Sequence, residues 1–223
     1  MISKYFNKIV FDISKIPPVI DPDILNNKTD FWYLKSHLYE FYSIVDDLFC
    51  EDEINKIIKL GNVYTEEFGK IGGNTEITDT NIRSCRLSWM YSNIYTNWIY
   101  QKLSDAINQV NEERFKFELT KLECLQFTKY KGNDVGFYEK HTDAMTGIYF
   151  PENRKLSVVI QLSDPSEYEG GDLCLFQGKN PSIIEKKKGR IVFFPSNILH
   201  EVTPVTKGTR YSLVAWAHGP AFK

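Results

Sequence analysis

The second half of the chain is a succession of short strand patterns, and this feature limits the possible folds more than any other. Segments of apolar and β-branched residues are separated by Gly and Pro turn signals at short intervals. Chains of this kind form sandwiches or barrels, because each short strand must bury one face against another layer. The predicted strands cover residues 117–130, 137–143, 155–162, 172–176, 182–185, 190–194, 198–203 and 210–217. We therefore predict a mainly β fold with a double-stranded β-helix (jelly-roll) core.

Two helix patterns precede these strands. Residues 50–62 open with acidic side chains, place isoleucines on one face and end near Gly61, as a short helix does. Residues 93–115 show a longer helical repeat, whose predicted apolar face contains Ile94, Trp98, Leu103 and Ile107. We expect both helices to flank one sheet of the core.

The remaining segments define the domain boundaries. Residues 1–36 contain the turn-rich sequence "IPPVIDPD" and are predicted to be an N-terminal extension packed on the domain, which itself covers residues 37–223. Residues 64–81 contain three glycines and little apolar periodicity, which predicts a long loop. Such loops often serve as lids over a site.

Composition excludes several classes of function. A formal net charge of −2 provides no basic field for a nucleic-acid backbone, and the cluster Lys186–Lys188 is interpreted as a solvated turn. The N-terminus lacks the apolar core of a signal peptide or membrane anchor, so we expect a cytoplasmic protein without membrane contact. The cysteines show no metal-binding spacing and are expected to be reduced: Cys50, Cys85, Cys124 and Cys174.

Three residues have the character of a metal site. His141 and Asp143 are two apart in a predicted strand, so both side chains point to one face of the sheet. His200, in a second strand, could complete a two-histidine, one-carboxylate triad of the kind that binds Fe(II) and leaves positions open. Zinc also accepts this ligand set, and a surface strand can carry the first pair without any function.

Arg210 follows His200 by ten residues, beyond the predicted turn "VTKGT". A tight hairpin there would return this side chain to the metal site. A guanidinium on an otherwise apolar strand needs an anion, and its planar fork suits a carboxylate held by two hydrogen bonds. A structural ion pair within the protein is the alternative.

These motifs resemble a known family. "QFTKYKGNDVGFYEKH" leading into His141, "HTD" at 141, "EGGDLCLF" at 169 and "KGRIVFFPSNILHEVTPVTKGTRYSLVAW" at 188 look like the Fe(II)/2-oxoglutarate dioxygenase superfamily, most closely its prolyl 4-hydroxylase-like branch. The resemblance covers about residues 80–220.

The resemblance implies roles for five residues. His141, Asp143 and His200 would be the catalytic iron ligands, and Arg210 would bind the C5 carboxylate of the cosubstrate 2-oxoglutarate. Tyr130 matches a tyrosine that commonly hydrogen-bonds this cosubstrate. The implied reaction consumes O₂, releases succinate and CO₂ and hydroxylates a substrate, with ascorbate as a supporting reductant.

The resemblance also suggests a substrate. Trp216 and His218 match a Trp-x-His motif of peptidyl-prolyl hydroxylases, and Arg154 matches an arginine that these enzymes place near the peptide. We therefore expect a proline-containing peptide or protein as substrate. Gln161 departs from the family, because relatives often have tyrosine at this position. Hydroxylation of lysyl residues or free amino acids, or a non-catalytic jelly-roll binding protein, remain alternatives.

Overall fold

A computed structural model of the chain describes residues 41–70, 78–144 and 152–220. The predicted N-terminal extension, residues 1–36, lies outside the described residues and stays a prediction. The described part is mainly β, as expected, and every predicted strand segment from residue 117 onward contains a strand. These strands are Ser43–Val45 (β1), Glu67–Phe68 (β2), Arg83–Ser84 (β3), Arg86–Met90 (β4), Lys121–Leu122 (β5), Leu125–Lys131 (β6), Phe137–His141 (β7), Glu152–Gln161 (β8), Tyr168–Gly170 (β9), Leu173–Phe176 (β10), Pro181–Ile183 (β11), Ile191–Pro195 (β12), Leu199–Val202 (β13) and Val205–Pro220 (β14).

The strands form two antiparallel sheets within the described residues. The major sheet has the order β1-β12-β8-β14-β6-β4-β2, and β5 and β9 also pair with β14. The minor sheet has the order β11-β10-β13-β7-β3. Apolar side chains from both sheets make one buried cluster, which includes Val159 and Val192 of the major sheet and Leu175 and Val202 of the minor one. The two sheets therefore face each other across a common core, as a jelly roll requires.

Two helices cover the other face of the major sheet. They are Glu51–Val63 (α1) and Asn97–Val110 (α2), and the second continues through a π-helical turn at Asn111–Phe115. Their buried residues, such as Ile57 and Leu103, share a core cluster with Phe127, Leu156 and Phe193 of the major sheet. The predicted packing of both helices on one sheet is thus confirmed.

The predicted start of α2 was wrong. The helix begins at Asn97 and not near residue 93, and Ile94 is 82% exposed instead of lying on the buried face. The side chains of Asn93 and Thr96 accept hydrogen bonds from nearby backbone N–H groups in this segment. Such local bonds favour a turn over a helix.

The predicted loop at residues 64–81 also differs in part. Glu67 and Phe68 form β2, which pairs with β4. The indole N–H of Trp89 donates to Glu67, and the guanidinium of Arg86 lies 3.3 Å from the centre of the Phe68 ring. These contacts explain why so short a strand forms. Residues 71–77 lie outside the described residues.

The lysine cluster at residues 186–188 is paired with carboxylates and is not merely solvated. Arg190 and Lys187 both bind Asp46, which follows β1, at 2.9 and 3.0 Å. Lys186 and Lys188 pair with Asp172 and Glu51, at 3.0 and 3.3 Å. The turn before β12 is therefore tied to the segment that leads into α1.

Asp46 offers a test of this link. Its hydrogen bond with Arg190 lowers the pKa of the carboxyl from 3.8 to about 2, so the stabilisation exists above about pH 3.8 and is lost as the pH falls towards 2. We expect Asp46→Asn to reduce the free energy of unfolding by about 2 kcal/mol at neutral pH, and the difference from the wild type to vanish near pH 2. Denaturant unfolding at several pH values measures both effects.

Asp47→Asn is the matched control, because Asp47 is 85% exposed and sits in a left-handed conformation that asparagine accepts readily. Equal losses in the two variants would contradict a specific role for Asp46.

None of the described helices is long and apolar enough to span a membrane.

Candidate active site

Two histidines and one aspartate meet at the end of β7. His141 and His200 are directly paired residues of β7 and β13, and their ring centres lie 4.1 Å apart. Asp143 lies just beyond β7, with carboxylate oxygens 3.8 Å from His141 Nε2 and 3.5 Å from His200 Nε2. One ligand atom from each residue lies within 4.8 Å of the others. The structure thus brings together the three residues that the sequence analysis selected.

Both imidazoles are oriented by backbone carbonyl groups. His141 Nδ1 lies 2.7 Å from the carbonyl oxygen of Glu139, and His200 Nδ1 lies 2.9 Å from that of Ile198. A carbonyl oxygen can only accept, so each Nδ1 carries the proton and each Nε2 keeps a free lone pair. Hydrogen bonds of this kind fix the tautomer that binds a metal.

Asp143 reaches the site by a different route from the one predicted. It does not share a strand with His141, because β7 ends at His141. Its backbone N–H donates to the carbonyl of Ser196 at 2.9 Å, and its Oδ2 accepts from Ser157 Oγ at 2.7 Å. Ser157 Oγ lies in turn 2.9 Å from Ser196 Oγ. Ser157 of β8 and Ser196, which follows β12, therefore hold Asp143 beside the histidines.

The charges of these groups suit a cation. Burial and the neighbouring His200 lower the pKa of His141 to about 3, which keeps its imidazole neutral. Burial alone would raise the pKa of Asp143, but the two imidazoles, with Trp216 and Ser157, lower it, so the carboxylate is ionised. A neutral imidazole and an ionised carboxylate are the forms in which His141 and Asp143 can bind a metal ion.

Arg210 is buried on the facing sheet. It belongs to β14 and is 2% exposed. The predicted hairpin was wrong, because residues 205–208 form the start of β14 and pair with β9. Its Nη1 donates to Ser212 Oγ at 3.3 Å, whereas its buried Nη2 has no hydrogen-bond partner among the described residues. No described carboxylate forms an ion pair with it either, which removes the structural ion pair as an explanation within residues 41–70, 78–144 and 152–220.

Tyr130 and Gly171 shape the surroundings of this guanidinium. Tyr130 is the strand neighbour of Arg210 on β6, and the guanidinium carbon lies 5.2 Å from its ring centre. Burial raises the pKa of Tyr130 strongly, so its hydroxyl stays protonated. Gly171 has φ +66°, and a Cβ there would lie 2.9 Å from Arg210 Cδ. The second glycine of "EGGD" thus leaves room for the arginine side chain.

The three predicted substrate residues lie around a fourth residue, Glu123. Arg154 donates to both of its carboxylate oxygens, at 2.7 and 2.8 Å, and His218 Nε2 lies 2.8 Å from Oε2. The Arg154 guanidinium lies 3.8 Å from the centre of the Trp216 ring. Burial opposes ionisation of Glu123, but the bonds from His218 and Arg154 lower its pKa to about 2. We call these four residues the Glu123 cluster.

Comparison with known proteins agrees with this geometry. The sequence model of the 2OG-Fe(II) oxygenase superfamily matches residues 125–218, which contain all three candidate metal ligands and Arg210. This part of the chain is thus similar to the 2OG-Fe(II) oxygenase superfamily. Among solved structures of similar fold, a prolyl hydroxylase from Trichoplax adhaerens, in complex with a hypoxia inducible factor peptide fragment, has a TM-score of 0.66 at 19% identity over 79% of this chain and 83% of that one.

A Pseudomonas putida prolyl-4-hydroxylase is similar at a TM-score of 0.63 and 18% identity, over 81% of this chain and 94% of that one. Curated relatives include a PKHD-type hydroxylase of Prochlorococcus marinus, 37% identical over 43% of this chain and 42% of its own length. PKHD-type hydroxylase YbiX of Escherichia coli is 31% identical over 51% of this chain and 52% of its own. The chain thus spans about half the length of the curated relatives it matches. These similarities confirm the predicted resemblance to this superfamily and the jelly-roll fold.

The oxygenase superfamily implies Fe(II) and 2-oxoglutarate, and the residues present fit both groups. Two Nε2 lone pairs and one ionised carboxylate form the facial ligand set that Fe(II) takes. The buried free donor of Arg210 fits a carboxylate. Gln161, the departure from the family, is buried and donates to the carbonyl of Glu185 at 3.4 Å. It is also the strand partner of Ser212, which binds Arg210.

Sequence reasoning missed Glu123, Ser157 and Ser196. Glu123 could have been found as a single acidic residue in the apolar segment "KLECLQF". The two serines gave no signal, because small hydroxyl residues are common in strands and their partner is distant in sequence. Ser157 and Ser196 contact Asp143 only because the two sheets pack face to face.

The metal ligands can be tested directly. We expect His141→Ala, Asp143→Ala and His200→Ala each to abolish binding of one Co(II) ion, because a facial site that loses one of three ligands binds weakly. Circular dichroism should show an unchanged fold. Titration followed by visible absorbance measures the binding, and His218→Ala serves as a histidine control outside the triad. Normal Co(II) binding by any of the three ligand variants would contradict the assignment.

Proposed function

We propose that the protein is an Fe(II)- and 2-oxoglutarate-dependent hydroxylase that acts on a prolyl residue of a peptide or protein and releases succinate and CO₂. The observation that carries this proposal is the buried Nη2 of Arg210, which has no hydrogen-bond partner in the described part of the chain and lies in the same jelly roll as the two-histidine, one-carboxylate set. A binding or structural protein gains nothing from a buried cation without a partner, because its desolvation costs several kcal/mol. An anionic cosubstrate would offset that cost.

Each group of the site has a task in this proposal. His141, Asp143 and His200 would hold the iron, which on reaction with O₂ and 2-oxoglutarate supplies the oxidising chemistry that hydroxylates the substrate. Arg210 would bind the far carboxylate of 2-oxoglutarate and so set the position of its keto acid. The protonated Tyr130 hydroxyl can donate a hydrogen bond to the same molecule. The surrounding apolar side chains exclude water from the site.

The Glu123 cluster is the proposed substrate contact. Glu123 engages Arg154 through Nε and Nη2, which leaves Nη1 free of this pair to donate to a peptide carbonyl. The prolyl hydroxylase from Trichoplax adhaerens binds a peptide fragment in a similar fold. That likeness, with the relatives named as PKHD-type hydroxylases, supports a peptide or protein substrate and prolyl hydroxylation here.

The cosubstrate role of Arg210 predicts a specific kinetic change. Arg210→Ala should raise the KM for 2-oxoglutarate by about 30-fold or more, because a lost charge-assisted pair costs about 2 kcal/mol. Arg210→Lys should retain part of the affinity, since it keeps the charge but loses the fork. Succinate release measures both effects. Lys207→Ala, on the same strand but exposed and paired with Glu169, should behave as the wild type, and an unchanged KM in Arg210→Ala would place the cosubstrate elsewhere.

The substrate role of the Glu123 cluster predicts a different pattern. Arg154→Ala and His218→Ala should reduce peptide-dependent turnover by about tenfold or more. His218→Ala should leave the slow, peptide-independent decarboxylation of 2-oxoglutarate unchanged, because His218 contacts Glu123 and not the metal ligands. If both activities fall together in this variant, His218 belongs to the scaffold or the cosubstrate site.

The hydroxylated residue is identified by mass spectrometry. The wild-type enzyme is incubated with Fe(II), ascorbate, 2-oxoglutarate and matched peptides that contain proline, lysine or neither, and with free amino acids. We expect an added oxygen atom on proline alone. An added oxygen atom on lysine or on a free amino acid would replace the prolyl assignment but keep the proposed 2-oxoglutarate-dependent hydroxylation. If none of these substrates leads to succinate release, the proposal that the protein is such an enzyme is wrong.

A further inference from the structure

Trp216 has a polar atom that the proposed substrate contact does not use. The residue is 5% exposed, and its indole Nε1 has no hydrogen-bond partner among the described residues. An indole N–H can only donate, so it needs an acceptor, and a buried donor without one is costly. This donor therefore requires an explanation.

The sheet register places this donor beside Asp143. Trp216 of β14 and Ser157 of β8 are directly opposite strand partners, so their side chains lie on the same face with Cβ atoms about 5 Å apart. Ser157 Oγ already donates to Asp143 Oδ2 at 2.7 Å. Trp216 thus faces the carboxylate from the strand next to Ser157.

The indole ring is held in this position from both sides. The guanidinium of Arg154 lies 3.8 Å from its centre, and the Trp89 ring lies 6.4 Å away in a tilted arrangement. A ring fixed in this way cannot turn its N–H towards another acceptor without losing these contacts. Ser157 is also fixed in position, because its Oγ lies within hydrogen-bond distance of Ser196 Oγ, at 2.9 Å.

We propose that Trp216 and Ser157 are positioning residues for Asp143: the serine hydroxyl donates to the carboxylate, and the indole N–H donates to it when a metal ion binds, so that the two donors fix the oxygen that Asp143 offers to the metal. The inference rests on the proposed function only in that the three ligands bind a metal ion. It gives Trp216 a second task, because the same ring supports Arg154 of the Glu123 cluster. The metal ligand and the proposed substrate contact are therefore joined through one side chain.

Metal affinity tests the proposal without reliance on turnover. Trp216→Phe removes the N–H and keeps a ring for Arg154, and Ser157→Ala removes the hydroxyl. Each variant should bind Co(II) about tenfold more weakly or worse, since loss of such a hydrogen bond to a metal ligand typically costs 10- to 100-fold, with a changed visible spectrum of the bound ion. Trp98→Phe is the matched control: its indole N–H donates to the carbonyl of Tyr95, and its Co(II) affinity should equal that of the wild type.

The outcomes separate the two proposals. Wild-type protein that binds no Co(II) would overturn the proposed function, whereas wild-type affinity and spectrum in Trp216→Phe would overturn the positioning role of the indole. If Trp216→Phe fails to fold, the indole N–H resonances of the wild type decide. Addition of Zn(II) should shift the Trp216 signal and leave that of Trp98, on α2, unchanged; an unmoved Trp216 signal would refute the inference.

Discussion

The hydrogen bond from Ser157 to Asp143 joins the two sheets at the point where the site is assembled. His141 and His200 belong to the minor sheet, where their direct pairing brings the imidazoles together. Asp143 leaves that sheet and is fixed by Ser157 and Ser196 of the major-sheet side. The ligand set consequently exists only while the sheets keep their spacing, which the apolar cluster between them maintains. The packing of the core therefore also determines the distances between the three candidate metal ligands.

Part of this arrangement was predictable from the sequence. Strand alternation and turn signals gave the fold class and the strand positions, because those signals are local. The convergence of His141, Asp143 and His200 was also predicted, but through an assumed common strand for the first pair. The carboxylate reaches the site through a tertiary contact with Ser196, and no periodicity in the sequence encodes such a contact.

The other errors have two origins, one in local hydrogen bonds and one in tertiary contacts. Side chain to backbone bonds in residues 91–96 delayed the start of α2, although the apolar spacing fitted a longer helix. Arg210 was expected to return on a hairpin beside His200, whereas β14 crosses to the facing sheet and approaches from the opposite side. Glu123 lay outside the motifs, and only the folded chain shows Arg154 and His218 on its two oxygens. Local sequence patterns therefore predict the helices and strands, whereas the positions of the site residues depend on how the chain passes between the two sheets.

The contrast between two arginines separates structural from functional charge in this chain. Arg190 donates to both oxygens of Asp46 and to Glu185, so its charge is neutralised within the fold. Arg210 is more deeply buried, yet it has one neutral hydroxyl partner and an unpaired Nη2 among the described residues. A buried arginine without an anionic partner destabilises the native state, whereas a paired arginine such as Arg190 does not. Stability of the fold therefore does not account for the arrangement around Arg210. The proposed anionic cosubstrate would supply the partner that Arg210 lacks among the described residues. Gly171 leaves room for the arginine side chain in that position.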